Sequence, residues 1–83
     1  MTVFRIVIMK PARKYLKRQP RDQQERLLRA IYQLPHEGDI KQLIDQDNVY
    51  RLRVGDYRVL YSIYRNTLIV KVMDVNIRGN VYK

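Results

Sequence analysis

The sequence predicts an α+β fold with the element order β-α-α-β-β-β. The expected form is a mainly antiparallel four-stranded sheet with a helical hairpin on one face. Three observations carry this. A β-branched run, VFRIVIM, spans residues 3–9. Two stretches with apolar residues at helical spacing follow between Pro11 and Pro35. Three segments of strand composition then fill residues 49–75, the first two joined by Gly55-Asp56. A helix pair packed on one sheet face is the simplest arrangement for that order. At 83 residues the chain predicts one domain, 1–83, with a modest core.

In the first strand Phe4, Ile6 and Ile8 share one face, and Val3, Arg5, Val7 and Met9 the other. Pro11 suits the first position of a short helix. Ala12, Tyr15 and Leu16 form its apolar stripe, and Pro20 ends it. Asp22 is the expected N-cap of the second helix, with Glu25 three residues on as in a capping box. Leu27, Leu28, Ile31, Tyr32 and Leu34 are its expected buried stripe, and Pro35 stops it. Arg13, Lys14, Lys17, Arg18, Arg21, Arg26 and Arg29 make the outer faces of both helices basic, a solvated surface or one that faces nucleic acid. Residues 36–48, HEGDIKQLIDQDN, read as a polar, acidic connector.

Gly55-Asp56 carries the signature of a two-residue type II′ hairpin loop. That loop fixes a register in which Val54 pairs with Tyr57, Arg53 with Arg58, Leu52 with Val59, Arg51 with Leu60 and Tyr50 with Tyr61. Alternation then assigns Tyr50, Leu52, Val54, Tyr57, Val59 and Tyr61 to the core. Arg51, Arg53, Arg58, Leu60 and Ser62 fall on the helix-free face. With a second tight turn at Arg65-Asn66, Lys71 lies opposite Leu60 and Met73 opposite Arg58. The result is a cationic patch in which two arginines oppose each other, at a cost of about 0.2–1 kcal/mol without an anion. A bound phosphate converts that repulsion into charge-assisted contacts; without one, both side chains splay into water, where salt screens them.

The charge supports polyanionic partners. Seventeen Lys and Arg against eight Asp and Glu give a net +9, and eleven of the cations are Arg, suited to bidentate phosphate contacts. The excess is segmented: net +7 over residues 1–35, −3 over 36–48 and +5 over 49–83. With no Cys and one His, thiolate and His-rich metal sites are excluded. No apolar run reaches the roughly 20 residues a membrane helix needs, and no signal-peptide pattern opens the chain, so a cytoplasmic location is expected with no membrane partner.

YRLRVGDYRVLYSI, followed by VMDVNIRGNVYK, resembles the RelE/ParE superfamily of bacterial and archaeal toxins. The resemblance covers the whole chain, and the hairpin is its most specific part. It implies a RelE-like toxin domain of a toxin–antitoxin module, with a cognate antitoxin as protein partner and no cofactor. In the RelE branch such proteins are endoribonucleases that cleave mRNA in the ribosomal A site and so inhibit translation. In the ParE branch the same fold inhibits DNA gyrase without nuclease activity. Carried over by position, the RelE-type site would use Arg51, Arg53, Arg58, Arg78 and Tyr82; the cationic patch adds Lys71 to Arg51 and Arg53 as expected RNA-binding residues. The combination of the first five favours the ribonuclease branch.

These residue types suit RNA cleavage by its own 2′-hydroxyl, which needs neither metal nor protein nucleophile. Guanidinium groups stabilise charge that gathers on the phosphate, here Arg58 and Arg78. Tyr82 moves a proton or stacks on a base. Two departures from relatives stand out. Arg occupies positions 51 and 53, where some relatives have Lys, and Arg never serves as a base at neutral pH. The base is then Tyr82, a water, a group of the RNA or ribosome, or Lys71. Asn76-Ile77 stands where many relatives have Gly followed by His or Lys. His36 reads as a surface histidine. Asp45 with Asp47, and Glu37 with Asp39, read as solvated loop charges, and Asp56 serves the turn. The tyrosines are mostly core-facing by alternation, so an aromatic RNA platform is not expected apart from Tyr82.

Overall fold

The computed structural model describes residues 3–43 and 47–77. The chain forms β1 (Arg5–Ile8), α1 (Lys10–Lys17), α2 (Arg21–Ile31), β2 (Asp39–Gln42), β3 (Val49–Val54), β4 (Tyr57–Tyr64) and β5 (Ile69–Ile77). The strands make one sheet in the order β1-β5-β4-β3-β2. β1 runs parallel to β5, and all other neighbours are antiparallel. The α+β class, the helix pair and the mainly antiparallel sheet agree with the expectation from sequence. The sheet has five strands rather than four because part of the acidic connector, DIKQ, pairs with β3 as β2.

The core lies between the helices and one sheet face. Ala12 and Leu16 of α1, Leu27 and Ile31 of α2, and Leu34 meet Leu52, Val54, Tyr57, Val59, Tyr61, Ile63, Val70, Val72 and Val75. Burying each aliphatic side chain contributes about 1.5–3 kcal/mol relative to exposure. Phe4, Ile6 and Ile8 pack against the edge of this cluster, as do Tyr15, Leu28, Ile40 and Tyr50. The Tyr50 and Tyr61 rings stack at 5.6 Å. The Tyr57 hydroxyl donates to Gln19 Oε1 at 2.9 Å, tying the hairpin to the α1–α2 connection. All seven basic residues of the two helices stay exposed.

Two helix details differ from expectation. α2 starts one residue before Asp22, with Pro20 as its N-cap and no side-chain cap bond. Asp22 therefore lies in the first turn, where its charge complements the helix dipole. α2 ends at Ile31, so Tyr32 leaves the helical stripe and is 62% exposed, while Leu34 returns to the core. Among the described residues no helix is long and apolar enough to cross a membrane.

The hairpin register is the expected one at every position from Val54↔Tyr57 to Tyr50↔Tyr61. Gly55 has φ +59, as the first loop position of a type II′ turn requires. A Cβ there would also meet the Arg26 guanidinium at 2.9 Å, so the turn is closed over by α2.

Candidate functional site

The helix-free sheet face carries its side chains in rows that cross the strands. One row runs Asp39 (β2), Arg53 (β3), Arg58 (β4), Asn76 (β5). The next runs Lys41, Arg51, Leu60, Asp74. Further along, Ser62 pairs with Lys71, then Tyr64 with Ile69. Alternation along β3 and β4 thus gathers Arg51, Arg53 and Arg58 on one surface. In a two-residue hairpin the pair next to the loop-closing pair is the closer, non-hydrogen-bonded kind, which sets Arg53 and Arg58 tightly together.

The three guanidinium groups are partly sunk into this face. The Arg51 side chain is 15% exposed and that of Arg53 35%. Nε of Arg51, Arg53 and Arg58 is buried without a hydrogen-bond partner among the described residues, as is Asn76 Oδ1. Buried polar atoms are normally satisfied. Four such atoms around one patch leave it open to polar contacts from groups beyond the described residues.

Asp39 changes the electrostatics expected from sequence. It is not a loop charge: it sits on β2 with Oδ1 3.7 Å from Arg51 Nη2 and Oδ2 3.9 Å from Arg53 Nε. Arg51 and Arg53 therefore have a carboxylate of their own chain beside them. Both separations are too long for hydrogen bonds, and Asp39 is 59% exposed, so the pairs are weak. Arg58 has Asn76 opposite it in place of a carboxylate. Asp74 is turned to its own strand, accepting from Val75 N at 3.0 Å and from Asn76 Nδ2 at 3.3 Å.

Lys71 is not in the arginine cluster. It pairs with Ser62 rather than Leu60, and Arg58 faces Asn76 rather than Met73. Two causes act together. The β4–β5 loop takes four residues, Arg65 to Leu68, with Leu68 at φ +56, instead of two. A bulge between Leu60 and Tyr61 then shifts the rest of the ladder. Met73 sits at that bulge, where its Sδ receives the Ser62 hydroxyl at 3.5 Å. Lys71 instead places Nζ 5.3 Å from the centroid of the Tyr64 ring. Tyr64 is 42% exposed on this face and, with Tyr32, departs from the core-facing expectation. Arg78 and Tyr82 lie outside the described residues. His36 is exposed, with its ring edge-on to Phe4 at 5.9 Å.

Sequence reading missed Asp39 and Tyr64 as members of this face. Alternation continued to the end of β4 would have found Tyr64. Asp39 carries no comparable signal, because β2 has only Ile40 as an inward apolar residue.

Residues 6–82 match the family model described as ParE toxin of type II toxin-antitoxin system, parDE. A curated protein of Methanocaldococcus jannaschii named "Putative toxin RelE1" is 38% identical over 45 residues, 54% of this chain; the match spans half the length of that relative. Three solved structures share the fold. The archaeal RelE-RelB complex of Pyrococcus horikoshii has a TM-score of 0.77 and 28% identity, covering 94% of this chain and 98% of that one. The RelB-RelE complex of Methanococcus jannaschii gives 0.74 and 27%, covering 92% and 94%. The RelBE2 complex of Mycobacterium tuberculosis gives 0.81 and 23%, covering 95% of each chain. Toxins of one fold, a match along nearly the full chain and a basic sheet face agree, and the chain belongs to the ParE toxin family of type II toxin–antitoxin systems, within the RelE/ParE superfamily.

Proposed function

We propose that this toxin is a metal-independent endoribonuclease that cleaves mRNA on the ribosome in the cytoplasm and is neutralised by a cognate antitoxin. The observation that carries the reading is the row of Arg53 and Arg58, with Arg51 beside it, whose buried Nε atoms lack hydrogen-bond partners among the described residues. In the proposed step the 2′-hydroxyl of one nucleotide loses its proton to a base and its oxygen bonds to the adjacent phosphorus. The bond from phosphorus to the 5′-oxygen breaks, and that oxygen takes up a proton. The products are a 2′,3′-cyclic phosphate and a 5′-hydroxyl. Arg58 and Arg78 stabilise the charge on the non-bridging oxygens, and Arg51 and Arg53 hold the flanking phosphates. Tyr82 transfers the proton. Lys71, engaged at Tyr64 away from Arg58, suits strand binding better than a role as base.

The net charge of +9 suits an acidic antitoxin segment that folds onto the toxin. The antitoxin complexes among the similar structures support such a partner. A second reading is favoured by the ParE name of the matching family model: inhibition of DNA gyrase by binding alone. Inducing the chain in cells and mapping mRNA ends, alongside a gyrase supercoiling assay with purified protein, separates the two. New mRNA ends with unimpaired supercoiling support the ribonuclease; intact mRNA with blocked supercoiling supports the gyrase inhibitor.

A further inference from the structure

The arginine row occupies one end of the outer sheet face, and the face continues to a second feature at the other end. Beyond the row come Ser62 with Lys71, and then Tyr64. The Tyr64 ring is 42% exposed, with the Lys71 ammonium 5.3 Å from its centroid. Beside it, at the β4–β5 loop, lies a cleft of about 410 Å³ lined by Asn48, Ile63, Tyr64, Arg65, Asn66 and Thr67. The cleft thus combines an aromatic wall, a guanidinium, two amides and a hydroxyl. Amides and hydroxyls read the donor and acceptor edges of a base, while an aromatic ring takes its flat face.

We propose that this cleft is a nucleobase-binding subsite in which Tyr64 stacks an unpaired base of a single RNA strand, Lys71 and Arg65 hold its phosphates, and Asn48, Asn66 and Thr67 contact its edge. Arg58 and Tyr64 are six residues apart on one strand, about 20 Å at the usual rise. Several nucleotides of an extended strand therefore separate the arginine row from the cleft. Cations stand at both ends of the track, Arg53 and Arg58 at one and Lys71 and Arg65 at the other, and an aromatic ring closes it, a combination that suits single strands. A double helix has no unstacked base to offer Tyr64, so the subsite selects single-stranded RNA. This inference rests on the ribonuclease reading and extends it to a position remote from the cleaved bond.

The test is binding of fluorescently labelled RNA by purified toxin. An octanucleotide is long enough to reach both ends of the face; a dinucleotide reaches the arginine row alone. Tyr64→Ala is expected to weaken octanucleotide binding by about 5- to 100-fold, the range of a lost base–aromatic stack. Dinucleotide binding should be unchanged, and Tyr64→Phe should behave as wild type. A single abasic nucleotide moved along the octanucleotide should abolish the difference between wild type and Tyr64→Ala at one or two positions only. Circular dichroism of the variants checks the fold, which exposure of Tyr64 leaves undisturbed. Wild-type binding with no loss in Tyr64→Ala overturns the subsite and leaves the arginine site standing. A wild type that binds neither RNA overturns both readings together.

Discussion

Arg53 and Arg58 stand directly opposite each other on β3 and β4, and the Nε of each is buried with no hydrogen-bond partner among the described residues. Facing like charges cost a sheet about 0.2–1 kcal/mol. A phosphate between them removes that cost and gains charge-assisted contacts in return. Arg58→Ala should therefore abolish toxicity while the melting temperature stays level or rises. Growth after induction, paired with thermal unfolding of purified variants, checks this. A marked fall in melting temperature would make Arg58 structural instead.

Asp39 is the carboxylate beside Arg51 and Arg53, 3.7 Å from Arg51 Nη2 and 3.9 Å from Arg53 Nε. It competes with a phosphate for the same guanidinium groups. Asp39→Asn should tighten RNA binding several-fold and cost under about 1 kcal/mol of stability, the usual worth of an exposed pair. Titration of RNA at fixed salt measures it. Weaker binding would mean that Asp39 holds the arginines in their binding geometry.

Much of this site was legible because a two-residue turn leaves a hairpin no freedom of register. Gly55-Asp56 sets Arg53 against Arg58, and alternation sends the apolar partners to the core. What was hidden has local physical causes. β2 is short and mostly polar, exposed at Asp39, Lys41 and Gln42, and it is held by backbone pairing to β3. No hydrophobic period announces such an edge strand. The four-residue β4–β5 loop sets Lys71 against Ser62 instead of Leu60, and the bulge at Leu60/Tyr61 keeps both Val72 and Val75 inward while bringing Asn76 opposite Arg58. Pro20 takes the cap position that side-chain chemistry would give to Asp22.

Binding to RNA should weaken steeply with salt, since each neutralised phosphate releases counterions. Arg53→Ala removes one contact. The slope of log affinity against log salt should become shallower by roughly 0.7, the value for a single-strand phosphate. Affinities measured from low to physiological salt give the slope. An unchanged slope would take Arg53 out of the phosphate track.

Burial pushes the Tyr61 hydroxyl up to about 12, with neighbouring Tyr50 adding to the effect. The folded state thus favours the neutral phenol more than the unfolded chain does, where it ionises near 10. The stability this contributes is complete below about pH 10 and is lost as pH rises toward 12. The same hydroxyl is buried with no partner among the described residues, so Tyr61→Phe should gain about 1 kcal/mol at neutral pH. The difference between wild type and Tyr61→Phe should widen by about 2 kcal/mol across that alkaline range. Urea unfolding at neutral and alkaline pH measures both effects. A gap that does not grow would mean that the hydroxyl finds a partner.

In the proposed reaction the arginine row of the outer face stabilises a phosphate being cleaved. Single-turnover cleavage of mRNA on a programmed ribosome tests it most directly, comparing wild type, Arg58→Ala and Tyr82→Phe at saturating toxin. Wild type should cut the mRNA. Arg58→Ala should be slower by about 10²–10³-fold, the scale of a lost charge-stabilising donor. Tyr82→Phe should be slower by about 10²–10⁴-fold if its hydroxyl moves the proton. An Arg58→Ala protein that cleaves at the wild-type rate would take Arg58 out of the chemistry, and a wild type that leaves the mRNA intact would end the ribonuclease reading.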